Sequence, residues 1–164
     1  MGDESLIKLK NEFEKLEDDP MTEIGCQVWL KDDDNYYEWE GMMQGPKDTP
    51  YKGAILYFTI YFEKDFPKSR PDFRFSYKNM YHLNVSPLNG HVCVNIINKW
   101  DPKTKMRDVI HAVWFILKKQ NDNDPYPFGD DRVELYKKNR PQFEENVRIW
   151  VRNNALKTHR QKIE

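Results

Sequence analysis

The sequence predicts an α+β fold in which an N-terminal helix precedes a four-stranded antiparallel meander and further helices follow the sheet. Three observations favour this order. Apolar residues recur at helical spacing near the N-terminus, alternate along four short segments between residues 24 and 77, and return to helical spacing after residue 104. Short turn-forming stretches join the four alternating segments, as is typical of strands that pair with their sequence neighbours.

The first helix is predicted over residues 5–18 and ends before Pro20. Its apolar face is formed by Leu6, Leu9, Phe13 and Leu16. The four strands are predicted over residues 24–30, 36–43, 55–62 and 72–77. Cys26 falls in an apolar row of the first strand, so we expect this thiol to be a small, unreactive core residue.

Three helices are predicted after the sheet. Thr104 caps a helix over residues 105–119, and this helix is apolar almost all round, which indicates burial. A short helix follows near residues 130–138. Pro141 opens the last helix, as it is tolerated in a first turn. The buried face of that helix is formed by Phe143, Val147 and Trp150.

Composition narrows the classes of function. The chain has 164 residues, 38% hydrophobic residues and a net charge of −1, which suits one globular domain and gives no reason to expect nucleic-acid or membrane binding. No signal peptide and no apolar run of ~18 residues is found. The two cysteines lack CxxC spacing, which argues against a disulfide framework or a zinc site. We therefore expect no metal, and an intracellular, reducing setting in the cytoplasm or nucleus.

The segment from Met80 to Pro102 has neither a helical nor a strand period, and long irregular segments in compact domains are usually functional. It contains Cys93, a candidate nucleophile. A cysteine hydrolase would need a histidine partner within hydrogen-bond reach. The candidates are His82, His91, His111 and His159. Composition alone favours an inert, buried cysteine over a catalytic one.

Five segments carry a family resemblance. In chain order they are WEGMMQGPKDTPYKGA (Trp39–Ala54), YHLN (Tyr81–Asn84), NGHVCVNI (Asn89–Ile96), WDP (Trp100–Pro102) and NDP (Asn123–Pro125). Their joint order and spacing resemble the catalytic core domain of ubiquitin-conjugating enzymes. The resemblance implies that residues 1–164 form a single such domain, with its core over residues 5–156, and that the fold is the family's.

The resemblance also implies a mechanism. Cys93 would accept ubiquitin as a thioester, and a substrate lysine would then attack that thioester. Asn84 would support the oxyanion or the loop, Asp124 would orient the lysine, and His82 would be structural. No cofactor is implied, because the ATP is used by the upstream activating enzyme. Leu83 replaces the proline of the family's His-Pro-Asn motif, which removes a restraint on φ beside Asn84.

The implied partners are ubiquitin or a ubiquitin-like protein, an activating enzyme, a ligase of the RING type and protein substrates. Ligase docking would fall on Pro67 and Pro102, where Lys68 and Lys103 give the patch an unusual positive charge. The activating enzyme would dock on the first helix, which is rich in acids but carries Lys8.

Two alternatives stay open. Asn95 and the run Lys137–Arg148 resemble the branch that conjugates the neddylation modifier, although the GPKDTPY loop (residues 45–51) favours ubiquitin. The chain could also be a non-catalytic, ubiquitin-binding scaffold. Scaffolds of this family lack the active cysteine, whereas Cys93 stands in its place.

Overall fold

The computed structural model describes residues 2–156 of the chain. Helices and strands follow the predicted order there. The helices are α1 (Gly2–Asp18), α2 (Asn95–Asn98), α3 (Met106–Lys118), α4 (Arg132–Lys138) and α5 (Arg140–Asn154). The strands are β1 (Gln27–Leu30), β2 (Glu38–Gln44), β3 (Ile55–Tyr61) and β4 (Asp72–Phe75).

The four strands form one antiparallel sheet in the order β1-β2-β3-β4, which confirms the predicted meander. The first strand is shorter than predicted. Thr22–Ile24 forms a 3₁₀ turn, and Gly25 then adopts a left-handed φ of 63° that redirects the chain into β1. The expected burial of Cys26 is confirmed, and burial raises the pKa of its thiol to about 12.

Aromatic contacts join the helices to the sheet around one apolar core. The ring of Trp39 on β2 lies 5.4 Å from that of Phe13 on α1. Trp150 on α5 meets Tyr77, which follows the end of β4, edge-on with ring centroids 5.2 Å apart. The buried face predicted for the last helix, Phe143, Val147 and Trp150, is confirmed.

The predicted cap of the central helix is wrong. Lys105, not Thr104, occupies the N-cap position of α3, and it makes no side-chain cap. Instead the buried carboxylate of Glu12 on α1 accepts a hydrogen bond from the Met106 N–H at 3.0 Å. The free N–H groups of a helix start need an acceptor, and here it comes from a helix 94 residues earlier in the chain.

The expectation that α3 is buried all round is also wrong. The side toward the core is buried, but Phe115 is 50% exposed and His111 faces solvent. A run of apolar residues does not by itself show which of them the fold leaves exposed. The exposed face of α3 lies beside Cys93 and forms part of the site described next.

Candidate active site

Cys93 lies where an extended segment gives way to a short helix. Val92 bridges to Val85, the N–H of Cys93 donates to the carbonyl of Asn84 at 2.9 Å, and α2 begins two residues later. The preceding turn depends on Gly90, whose φ is 77° and where a Cβ would lie 1.8 Å from the carbonyl oxygen of Phe75. The backbone thus fixes Cys93 while leaving its side chain partly exposed.

Two polar side chains face the Cys93 sulfur. The Asn98 amide nitrogen lies 3.1 Å from Sγ, and the Asp124 Oδ2 lies 4.0 Å from it. Asp124 was singled out from the sequence, and the structure places it beside Cys93; its role stays a prediction. Asn98 was missed, because the only signal for it is the helix α2, which the irregular sequence of this segment does not reveal.

Asn84 joins the Cys93 segment to the loop that carries Asp124. Its side chain is fully buried. Its Oδ1 accepts from the Asn121 N–H at 2.8 Å, and its Nδ2 donates to the Asn121 carbonyl at 2.9 Å and to the Asp124 carbonyl at 3.4 Å. Both ends of this amide are therefore engaged by loop backbone, which is the geometry expected of loop support.

His82 is a buried, neutral link between Asn84 and α3. Its Nδ1 accepts from the Asn84 N–H at 2.9 Å, so the Nε2 carries the proton and donates to the Ile116 carbonyl at 2.8 Å. Burial lowers the pKa of His82 to about 4, assisted by the positive charge of Arg132 and opposed by the bond to Ile116. This arrangement agrees with the structural role implied for His82, and a proton-transfer role at neutral pH is disfavoured.

Known proteins resemble this chain in sequence and in fold. A family model described as ubiquitin-conjugating enzyme matches residues 8–151. The chain belongs to that family. One curated relative, "Probable ubiquitin-conjugating enzyme E2 31" of Arabidopsis thaliana, is 34% identical over 122 residues, which are 74% of this chain and 77% of the relative. A crystal structure assigned to a ubiquitin conjugating enzyme of Plasmodium yoelii has a TM-score of 0.79 and 27% identity, and the match covers 93% of this chain and 96% of that chain.

His82 should make the stability of the protein depend on pH. We expect the free energy of unfolding to fall as pH decreases from 6.5 to about 4, because in this window the unfolded chain protonates His82 and the folded chain does not. The loss from His82 should approach ~3 kcal/mol. Urea unfolding at the two ends of this window measures it. In His82→Gln, which keeps a donor and an acceptor, the acid loss should shrink; an equal loss in both proteins would contradict the assignment.

Leu83, which replaces the family's proline, makes a bond that proline cannot make. Its N–H donates to the Gln120 Oε1 at 2.8 Å, and its carbonyl accepts from the Tyr126 N–H at 3.0 Å. Gln120 in turn donates to the Tyr51 hydroxyl at 3.1 Å. The restraint that a proline ring would give is thus replaced by hydrogen bonds that fasten Asn84's neighbour to the loop after α3.

The histidines do not form a hydrolase pair with Cys93 in the described part of the chain. His91 Nδ1 hydrogen-bonds to the Tyr126 hydroxyl at 2.6 Å, and its Nε2 lies 3.6 Å from the Asp72 carboxylate. His82 is held as described above. His111 lines the same groove as Cys93, but its ring packs 5.9 Å from that of Trp114 and makes no hydrogen bond to the thiol within residues 2–156. His159 lies outside the described residues. Tyr126 was missed from the sequence; partial burial and the nearby groups Cys93, Asp72 and Asp124 raise its pKa to about 12.

A groove of about 440 Å³ opens beside Cys93 between α2 and α3. Its lining includes the exposed Phe115 and the three residues that directly follow Cys93 in the chain. The lining is formed by Cys93, Val94, Asn95, Ile96, Asp108, His111, Ala112, Phe115, Ile116 and Asn121. Cys93 therefore stands at the edge of a mostly apolar channel rather than inside a closed pocket.

The residues predicted to contact a ligase come together in two adjoining loops. Trp100 Nε1 donates to the Pro67 carbonyl at 2.7 Å, which ties the loop of Lys68 to the loop of Pro102 and Lys103. Both lysines are exposed. Lys8 belongs to α1 and lies 4.0 Å from Glu12, the residue that caps α3 just beyond Lys103. We call Pro67, Lys68, Pro102 and Lys103 the ligase-docking patch. Its role in binding a ligase stays a prediction.

Two negative findings concern residues 2–156 only. No helix there is long and apolar enough to cross a membrane. No group of three or more metal-ligating side chains there could hold an ion.

Proposed function

We propose that this member of the ubiquitin-conjugating enzyme family carries ubiquitin as a thioester on Cys93 and transfers it to a lysine amine of a protein substrate. The observation that carries the proposal is the Cys93 thiol, partly exposed at the edge of an open groove and 4.0 Å from the Asp124 carboxylate. A thiol that must exchange acyl groups with a second protein needs this access, which a buried structural cysteine lacks.

Loading is an exchange between two thiols. The Cys93 thiolate attacks the carbonyl carbon of the thioester that joins ubiquitin to the activating enzyme. A new C–S bond forms, the old one breaks, and the activating enzyme's sulfur leaves with the electron pair as a thiolate. This step needs no cofactor on this chain and no histidine base, in agreement with the absence of a Cys93–histidine bond among residues 2–156.

Discharge is the attack of an amine on the loaded thioester. The lysine nitrogen bonds to the carbonyl carbon, the C–S bond breaks, and the sulfur of Cys93 takes the electron pair. The lysine must lose a proton on the way, and the Asp124 carboxylate is near enough to the sulfur to orient the amine and receive that proton. The groove between α2 and α3 gives the C-terminal chain of ubiquitin a path to the thiol.

The same chemistry would serve a ubiquitin-like protein. Asn95, one of the residues that favour the neddylation branch, lines the groove beside Cys93 and could contact the modifier's tail. A ubiquitin-binding scaffold would need no accessible thiol, so the exposure of Cys93 favours an enzyme over a scaffold. The setting we propose is a reducing one, cytoplasm or nucleus, in which Cys93 stays free.

The deciding experiment is a charging assay. The protein is incubated with activating enzyme, ATP and ubiquitin, then separated on gels with and without reductant; the neddylation modifier and its own activating enzyme are tested in parallel. We expect an adduct with ubiquitin that reductant removes. In Cys93→Ser the adduct should resist reductant, because an oxygen ester replaces the thioester. Failure of both modifiers to form an adduct would contradict the proposal.

Cys26→Ser is the matched control for the charging assay. Cys26 is buried in the core, so its replacement should leave the adduct and its sensitivity to reductant in place. Loss of the adduct in a folded Cys26→Ser protein would show that Cys26, and not Cys93, is the acceptor of ubiquitin.

We further propose that the ligase-docking patch of Pro67, Lys68, Pro102 and Lys103 selects RING-type ligases with acidic docking faces. Two exposed lysines on adjoining loops favour an acidic partner and disfavour a purely apolar one. The upstream activating enzyme is proposed to dock on α1, where Lys8 lies close to the same end of α3.

Reversing the charge of the patch should change ligase choice. We expect Lys68→Glu/Lys103→Glu to lower the stimulation of discharge by an acidic-faced RING domain by about 10-fold at low salt, and less at high salt because exposed charges are screened. Discharge is measured with and without ligase, and each variant is normalised to its own ligase-free rate. Lys47→Glu/Lys52→Glu, at two exposed lysines of the 45–53 loop, is the charge-matched control. Equal effects of the two changes would contradict the proposed patch.

A further inference from the structure

Asn98 makes a contact with the thiol that the family resemblance does not assign. It is the last residue of α2 and is exposed, yet its Nδ2 lies 3.1 Å from the Cys93 Sγ. A distance of this size is within the range of a hydrogen bond to sulfur. The donor is a neutral amide, and the hydrogen bond it makes becomes stronger when the sulfur carries a negative charge.

The position of Asn98 is fixed from both sides. Its own N–H donates to the Val94 carbonyl at 2.9 Å, so α2 folds the chain back over Cys93. Two residues later Trp100 is anchored to the Pro67 carbonyl. The chain between thiol and tryptophan is therefore held at both ends, and the Asn98 amide faces the sulfur without needing a contact of its own to the core.

Asn84, the residue to which the family resemblance gives a role in supporting the oxyanion or the loop, is differently placed. Its Nδ2 donates to two carbonyl oxygens of the 121–124 loop, and its Oδ1 accepts from a third backbone group. Donating to an oxyanion on the thioester carbonyl would require Asn84 to break those bonds. Asn98 has its donor at the sulfur already.

We propose that Asn98 is a catalytic residue whose amide N–H stabilises negative charge on the Cys93 sulfur. This deepens the function proposed above and rests on it. In loading, the Cys93 thiolate is the nucleophile that forms the new C–S bond. In discharge, the amine forms the C–N bond, the C–S bond breaks, and the electron pair returns to the same sulfur while the amine proton passes to Asp124 or water. The Asn98 amide can therefore donate to the sulfur both when it attacks as a thiolate in loading and when it leaves as a thiolate in discharge.

The negative charge of Asp124 explains why the site needs a hydrogen-bond donor at the Cys93 sulfur. A carboxylate 4.0 Å from the sulfur repels a thiolate, although it serves the incoming lysine. An amide donor 3.1 Å from the sulfur offsets that repulsion. The site thereby keeps a carboxylate for the amine and a stabilised leaving group for the thioester.

Two substitutions separate a donor from a mere surface asparagine. Asn98→Ala removes the donor, and Asn98→Asp keeps the shape but offers only acceptors and a negative charge. The thiolate of Cys93 is followed by ultraviolet absorbance against pH, as the difference from the same protein carrying Cys93→Ala. Single-turnover discharge of preloaded ubiquitin to free lysine is followed separately.

We expect a graded loss in both readouts. In Asn98→Ala the thiolate fraction at neutral pH and the discharge rate should each fall by about fivefold, since a hydrogen bond to a charged group at a solvent-exposed site is weaker than a buried one. Asn98→Asp should fall further than alanine in both. Since Asn98 is exposed, both variants should fold, which circular dichroism checks.

The other outcomes overturn the proposal. If alanine leaves the thiolate titration unchanged, Asn98 does not stabilise the sulfur. If aspartate equals asparagine, an oxygen and not an N–H faces the sulfur. Asn123→Ala is the matched control, an exposed asparagine of the facing loop that makes no hydrogen bond to Cys93 within residues 2–156; an equal loss there would show an unspecific effect. The titration needs no ubiquitin, so it can fail or succeed independently of the charging assay.

Discussion

Asp124→Ala is expected to slow the discharge of ubiquitin from Cys93 to free lysine by about 100-fold, the lower end of the range for a positioned acid-base group. The lower end applies because Asp124 is exposed and 4.0 Å from the sulfur, so water can partly replace it. The measurement is the single-turnover decay of purified thioester at several lysine concentrations. Loading should change much less, because thiol exchange requires no amine deprotonation.

Asp124→Asn separates charge from position. The amide keeps the shape of the side chain but cannot accept the amine proton. We expect its discharge rate to be as low as that of Asp124→Ala, and the difference from the unchanged protein to narrow at high pH, where more of the lysine is already neutral. A normal discharge rate in either variant would reject a catalytic role for Asp124.

Most of the fold was predictable because it rests on local periodicity. The meander, the long helices and the buried face of α5 all follow from apolar spacing along neighbouring residues. The errors occur where a distant group or a local irregular turn decides. Glu12 caps α3 across 94 residues, and the first strand starts late because a 3₁₀ turn with a left-handed Gly25 intervenes. Neither leaves a periodic signal.

The site was predictable only in part, for a related reason. Cys93 and Asp124 stood out through their order among family-like segments, and the structure brings their side chains together. The contacts of Asn98 with Cys93 and of Tyr126 with His91 depend on the path of an irregular chain, so no pattern pointed to them. Leu83 looked like a lost restraint, whereas its N–H supplies a hydrogen bond that only the three-dimensional path could show.

Asn84→Ala is expected to have the largest effect on stability among the site variants, with a loss of about 3 kcal/mol in the free energy of unfolding. The side chain is fully buried, and its removal breaks two short hydrogen bonds to Asn121 and leaves a space. Urea unfolding at pH 7 measures the loss. Asn123→Ala, on the exposed side of the same loop, should cost less than ~0.5 kcal/mol. Similar losses for both would contradict the bracing role of Asn84.

A double-mutant cycle decides between loop support and an oxyanion role for Asn84. If Asn84 acts by holding the loop of Asp124, Asn84→Ala should slow discharge, but it should add little once Asp124 is alanine. If its amide instead binds the oxyanion, the two losses should multiply. The hydrogen bonds from Asn84 to the Asn121 and Asp124 carbonyls lead us to expect strong non-additivity. In that case Asp124 orients the amine and accepts its proton, and Asn98 stabilises the negative charge on the sulfur. Asn84 then acts by holding the loop of Asp124 against the Cys93 segment.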